Sequence, residues 1–200
     1  MIPKKYPFIY CLTVFFLFLY STAFPQKDSS VWEDKPVITF SGCLDVFYAY
    51  DFNNPSTCQG QPFLYNYNRY NEFNLNFGLI KLNVTQTKYR ANLGLQAGTY
   101  VIDNYAAEPA PLQHIYEGNA GFSLNKKNNL WLDAGIFNSH IGFESVLSKD
   151  NRTLTRSILG ENTPSYLAGA KLTYNPNEHW EMAAIFCNGW QRIKKVAGNT

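Results

Sequence analysis

The residues best equipped for chemistry in this chain are Ser139, His140 and Glu144, close together in the sequence. They are the types that supply nucleophile, general base and carboxylate in acyl-transfer hydrolysis. Neighbours in sequence are not a triad in space, however, and no nucleophile-elbow motif surrounds Ser139. His114 and Glu117 are ligand types at helical spacing, but Glu117 falls on a strand pattern. His179 lies in a tight turn, where solvent takes it. Cys43, Cys58 and Cys187 are an odd number and cannot all pair internally, although a Cys43–Cys58 bridge stays open. No C-x-x-C or Cys/His cluster offers a zinc site, and no glycine loop cradles phosphate. The expectation is no catalytic residue, no metal and no cofactor.

Whatever the chain does must therefore lie in its architecture, and composition narrows that. Of 200 residues, 16% are charged and 16% aromatic, with asparagine abundant. Disorder is excluded by the aromatic content and the low charge. Heptads of Ala, Glu, Lys and Leu are missing, which argues against a coiled coil. Mean hydropathy is −0.27. No apolar run of about 20 residues follows residue 24, which argues against membrane helices.

The N-terminus reads as an export signal over residues 1–23. Lys4 and Lys5 precede an apolar run from Phe8 to Tyr20, and Ser21-Thr22-Ala23 offers small residues for cleavage. The run is too short to span a bilayer as a helix. Cys11 lies inside it without a lipobox. Removal of the signal leaves fifteen basic against fifteen acidic residues. No argument for nucleic acid or anionic lipid survives at zero net charge. Residues 24–36 form a polar, exposed lead-in.

From residue 37 onward the pattern is period-two alternation. Seven strands are expected, at about 37–52, 70–84, 89–100, 115–124, 130–137, 165–174 and 179–188. In the second, Phe73, Leu75, Phe77 and Leu79 share the apolar face, with a phase slip near Ile80 and Lys81. In the fourth, Tyr116, Ala120, Phe122 and Leu124 share it.

Two regularities point to a membrane. Each strand carries an ionisable residue on its polar face: Asp45, Glu72, Arg90, Glu117, Asp133, Lys171 and Glu181. The apolar faces carry none, apart from Lys81 at the slip. An arginine or lysine facing lipid at mid-bilayer costs about 2–4 kcal/mol, so a membrane barrel keeps charges in its lumen. Connections also alternate: 53–69, 101–114 and 138–164 are long, whereas 85–88, 125–129 and 175–178 are tight. Outer-membrane barrels alternate long extracellular loops with short periplasmic turns, which puts the mature N-terminus on the periplasmic side. Aromatics at strand ends, such as Tyr48, Tyr89, Tyr174 and Trp180, suit interfacial girdles.

The expected fold is therefore all-β: an antiparallel up-and-down transmembrane β-barrel, incomplete here, with residues 37–200 as its N-terminal part. A bacterial single-chain barrel closes with an even number of at least eight strands. The chain ends in a polar run without a terminal strand, so a C-terminally truncated piece of a longer protein is expected.

Several stretches resemble the OmpL-like β-barrel porin family (β-barrel porin-2) of Bacteroidota outer membranes. They are FSGCLDVFYAYDFN at 40–53, QAGTYVIDNYAAEP at 96–109 and NLWLDAGIFNSHIGFES at 129–145. TLTRSILGENTPSYLAGAKLTYNPNEHWE at 153–181 and CNGWQRI at 187–193 extend the resemblance across roughly 37–200. It implies an outer-membrane barrel with a pore, and no catalytic residues. The strands that would close the barrel are absent.

The first functional expectation is a passive, porin-like channel for small solutes, embedded in outer-membrane lipid and lined by the seven ionisable residues above. The long connection 138–164 adds Glu144, Lys149, Asp150, Arg152, Arg156 and Glu161 as a mixed-charge constriction, if it folds inward. A filled barrel serving adhesion or surface binding fits the same alternation. A barrel enzyme of lipase or esterase type at Ser139 and His140, and a soluble sandwich, are the remaining alternatives.

Overall fold

The structure is a computed structural model that describes residues 34–53 and 55–195. The expected signal at 1–23 lies outside the described residues, as does most of the lead-in at 24–36.

Seven strands form one antiparallel sheet in chain order: β1 (Val37–Tyr48), β2 (Phe73–Thr85), β3 (Tyr89–Ala97), β4 (Ile115–Ser123), β5 (Leu130–Asn138), β6 (Tyr166–Asn177) and β7 (Trp180–Cys187). Among the described residues β1 pairs only with β2 and β7 only with β6, so the sheet is not closed. Strands of 8 to 13 residues match the roughly 9–11 needed to cross a bilayer at a tilt. β6 runs on through Asn177, beyond its expected end. Asn177 then closes the β6–β7 turn by accepting from the His179 and Trp180 amides. At the same end Lys88 donates to Asn125 O at 2.8 Å, joining two neighbouring tight turns.

The long connections, L1 (residues 49–72), L2 (98–114) and L3 (139–165), gather at the other end. L2 carries α1 (Thr99–Asn104) and α2 (Ala110–Gln113); L3 carries a 3-10 turn (Ser148–Asp150) and α3 (Ile158–Asn162). Among the described residues no helix is long and apolar enough to cross a membrane.

The pairing register assigns each residue to a face, since partners across a ladder point the same way. One face is bare. Its rows include Phe40–Leu82–Leu93 and Tyr89–Phe122–Leu132–Leu172–Ala184. No Asp, Glu, Lys or Arg of the described strands stands on it. Its large apolar side chains are open: Phe40 is 77% exposed, Leu44 79% and Phe186 87%. In water such a continuous apolar face would be a sticky surface far larger than monomers carry.

The other face is covered at the long-loop end. Phe77, Leu79 and Tyr116 of the sheet pack with Tyr100, Val101 and Tyr105 of L2 and with Tyr166. Phe77 meets Tyr100 and Tyr116 edge-on, at 5.8 and 5.9 Å between ring centres. Tyr105 stacks on Tyr166 at 4.2 Å.

This corrects the expected strand phase. The register of β2 slips between its partners Asp45 and Val46, leaving Asn76 as the extra residue. A second slip, between Gly94 and Leu95, leaves Tyr116 extra on β4. Each bulge flips the following residues to the other face. Phe77, Leu79 and Tyr116, expected on the apolar face, therefore turn to the covered one. Lys81, expected as an exception, stands among the charges.

Candidate functional site

The charged side chains of the sheet converge on the covered face. Arg90 of β3 and Asp133 of β5 share a row with Gly121 of β4 between them. The guanidinium spans that gap, Nε to Oδ1 at 2.7 Å and Nη2 to Oδ2 at 2.6 Å. It also lies 4.5 Å above the Trp131 ring. The arrangement recurs one strand earlier. Lys81 of β2 reaches Glu117 of β4, Nζ to Oε1 at 2.7 Å, across Gly94 of β3. In both cases a glycine on the middle strand leaves room for a cation to reach a carboxylate two strands away.

Between these charged rows runs an uncharged one: Asn83, Asn92 and Asn119, then Gly135 and Gly169. Asn92 donates to Asn119 at 2.8 Å, and Asn119 donates to Ile136 O at 2.9 Å. Donors and acceptors thus line the face without net charge.

Lys171 of β6 faces Asp133 in register but turns its ammonium toward the Phe137 ring, 5.3 Å away. Glu181 stands exposed at the tight-turn end of β7. Glu72 lies just ahead of β2 rather than in it, accepting from Asn74 at 2.6 Å.

Asp45 is the point where loops join the sheet. Its Oδ2 accepts from Asn76 at 2.9 Å and from the Tyr67 hydroxyl of L1 at 2.7 Å. Ser148 of L3 lies 2.6 Å from that same hydroxyl. Tyr67 sits at φ 55°, a conformation that bulky residues rarely adopt. Asn76 Oδ1 holds it there by accepting its amide at 2.9 Å. Burial pushes the Tyr67 phenol up to about 12, and Asp45 adds to this against the opposing Ser148.

Glu161 of L3, 1% exposed, is the second junction. It accepts from the Tyr65 amide at 2.9 Å, Asn66 Nδ2 at 2.6 Å and Arg156 Nε at 3.1 Å. Arg156 in turn donates to the Tyr100 hydroxyl of L2 at 3.0 Å. Burial alone would lower the Arg156 guanidinium, but Tyr100 and Glu161 beside it hold it above its ordinary value. L1 and L2 are joined directly by Arg69 and Asp103, a bidentate pair at 2.8 and 2.9 Å. After β7, Gln191 bridges Ser165 N and Asn104 O, and Glu108 accepts the amides of Ile193 and Lys194. The loops are one hydrogen-bonded layer over the long-loop end of the covered face.

The six charged residues singled out in 138–164 divide accordingly. Arg156 and Glu161 are buried inside the layer. Lys149 and Asp150 pair with each other at its surface, at 2.6 Å. Arg152 is exposed. Glu144 accepts from the amide of Ser157, the N-cap of α3, at 2.9 Å, and from its hydroxyl. Those bonds hold the Glu144 carboxylate below its ordinary range. Among the described residues no hydrogen bond joins Ser139, His140 and Glu144 into a triad, although Ser139 and Glu144 line one cavity. Ser139 Oγ accepts the Ile141 amide, and Glu144 is occupied by Ser157. Cys43, Cys58 and Cys187 are all free, so no Cys43–Cys58 bridge forms. His114 Nδ1 lies 3.1 Å from Gln96 O. Among the described residues no group of His, Cys, Asp and Glu is arranged to hold a metal.

Sequence reasoning missed Lys81, Asn66, Asn76, Tyr67 and Tyr100. Lys81 carried a signal, as the one charge out of phase. The others are polar or aromatic residues whose partners lie far away in sequence.

An antiparallel meander with one charge-free apolar face and one charged, loop-covered face is the wall of a transmembrane β-barrel. The family model described as putative beta-barrel porin-2, OmpL-like, matches residues 37–200, and the chain belongs to that family. The seven strands are a sector of such a barrel. No curated protein and no solved structure matches the chain at a significant level.

Proposed function

We propose that the chain forms part of an outer-membrane porin-like channel through which small solutes diffuse passively. The observation that carries this reading is the segregation of charge. Every Asp, Glu, Lys and Arg of the described strands stands on the covered face, and the opposite face is apolar and open. Lipid on the bare face removes the penalty of exposing Phe40, Leu44 and Phe186. Water on the other face solvates Arg90, Lys171 and the asparagine row. The long-loop end would face outward from a Gram-negative cell after signal cleavage, with the loop layer narrowing the passage. Passage needs no protein group that forms or breaks a bond, so Ser139 and His140 have no part in it.

The test is solute entry into liposomes that carry the full-length, heat-modifiable protein. Swelling in small neutral sugars supports the reading; none at all refutes the channel.

The loop layer favours a second reading, a barrel filled at its outer end that serves surface binding or adhesion. The buried Arg156–Glu161 pair and the packed tyrosines are what a permanent plug requires. Under it, shortening L3 would leave solute entry unchanged.

A further inference from the structure

The wall charges are not equivalent, because most are neutralised locally. Besides Asp45 and Glu181, the charged side chains of the described strands are Lys81, Arg90, Glu117, Asp133 and Lys171. Lys81 and Glu117 form one ion pair and Arg90 and Asp133 another. Both carboxylate oxygens of Asp133 are taken by Arg90. Lys171 stands directly beside Asp133 on the next strand, and yet among the described residues no carboxylate pairs with it, Asp133 being held by Arg90. Its ammonium instead reaches the Phe137 ring. From Lys171 to Phe137 the direct line crosses the row in which β5 and β6 offer only Gly135 and Gly169, so no side chain intervenes. Asp45 is held under the loops by Tyr67 and Asn76. Glu181 stands at the tight-turn rim, where bulk salt screens it.

From this we infer that Lys171 is the residue that sets the charge preference of the passage, drawing in small anionic solutes. This inference rests on the channel reading. A paired cation and carboxylate present a short-ranged dipole to a passing ion, whereas a lone ammonium acts as a full charge. At about 7 Å through water, one unit charge changes the local concentration of a monovalent ion roughly threefold. Within a low-dielectric wall the effect is larger.

The experiment measures reversal potentials of the full-length protein in planar bilayers under a potassium chloride gradient. Wild type is compared with Lys171→Met, which keeps the stem, with Lys171→Glu, and with Lys126→Met, a charge removed from an exposed tight turn. Chloride-over-potassium permeability should fall roughly two- to threefold in Lys171→Met and further in Lys171→Glu, with Lys126→Met unchanged. Open channels with the wild-type ratio in both Lys171 variants would overturn the inference and leave the channel standing. A folded wild type that never conducts would overturn the channel reading itself. Should neither Lys171 variant reach the heat-modifiable state, Lys171 is a folding residue and the inference fails.

Discussion

Arg90 and Asp133 sit on strands that do not pair, yet they form a bidentate ion pair across Gly121. A β-carbon at Gly121 would collide with Asp133 Oδ1 and lie 3.0 Å from Leu132 O. The glycine therefore decides whether the two charges meet. Gly121→Ala should displace the carboxylate and lower stability by about 1–3 kcal/mol, read from the denaturant midpoint in detergent. In a double-mutant cycle Arg90→Met and Asp133→Asn should couple by about 0.5–3 kcal/mol, and the coupling should vanish in the Gly121→Ala background.

Glu161→Ala removes the carboxylate on which Tyr65, Asn66 and Arg156 converge. It leaves the Arg156 guanidinium buried without its counter-charge, a change that costs about 3–5 kcal/mol in other proteins. The loss falls on the loop layer, not on the strand ladders. Limited proteolysis should cut L1 and L3 faster than in the wild type, while heat-modifiable mobility persists. Unchanged cleavage would show that packing of Tyr100 and Tyr105 alone holds the loops.

Glu144 titrates below the ordinary carboxylate range because it accepts from Ser157. A depressed folded value means that its contribution is present above the unfolded value and is lost as pH falls through the folded one. Acidification should therefore loosen α3 and expose L3 to an acid-active protease. Glu144→Gln should remove most of that pH dependence.

Tyr67 responds at the opposite extreme. Its phenol is raised to about 12. The stabilisation it brings is complete below the unfolded value near 10 and is lost as pH rises through 12. Loop release on alkaline titration should follow tyrosinate absorbance in the wild type. Tyr67→Phe should lose that phase.

The seven strands and their alternating connections were legible because a half-lipid, half-polar wall writes its period into the sequence with little interference. Strand starts at Val37, Tyr89 and Leu130 fell where alternation began. The bulges were not legible. One extra residue between two apolar neighbours leaves an unbroken run, and Leu75-Asn76-Phe77 alternates as well with a flip as without one. Phe77 and Tyr116 therefore read as lipid-facing, although loops cover them. Of the site, Arg90, Asp133 and Lys171 could be named but not paired, since a partner two strands away has no sequence signature. Glu161 and Asn66 are 95 residues apart, and nothing local announces their contact.

Whether this sheet separates lipid from a polar interior is read from the accessibility of successive residues along one strand. Nitroxide labels would be placed singly along β3, from Arg90 to Gln96, in full-length protein in bilayers, with Cys43, Cys58 and Cys187 replaced by serine. Positions 91, 93 and 95 should relax with dissolved oxygen, and positions 90, 92, 94 and 96 with a water-soluble nickel chelate or with neither. Nickel accessibility on both faces, or oxygen maxima at 92 and 94, would mean that the apolar face does not meet lipid.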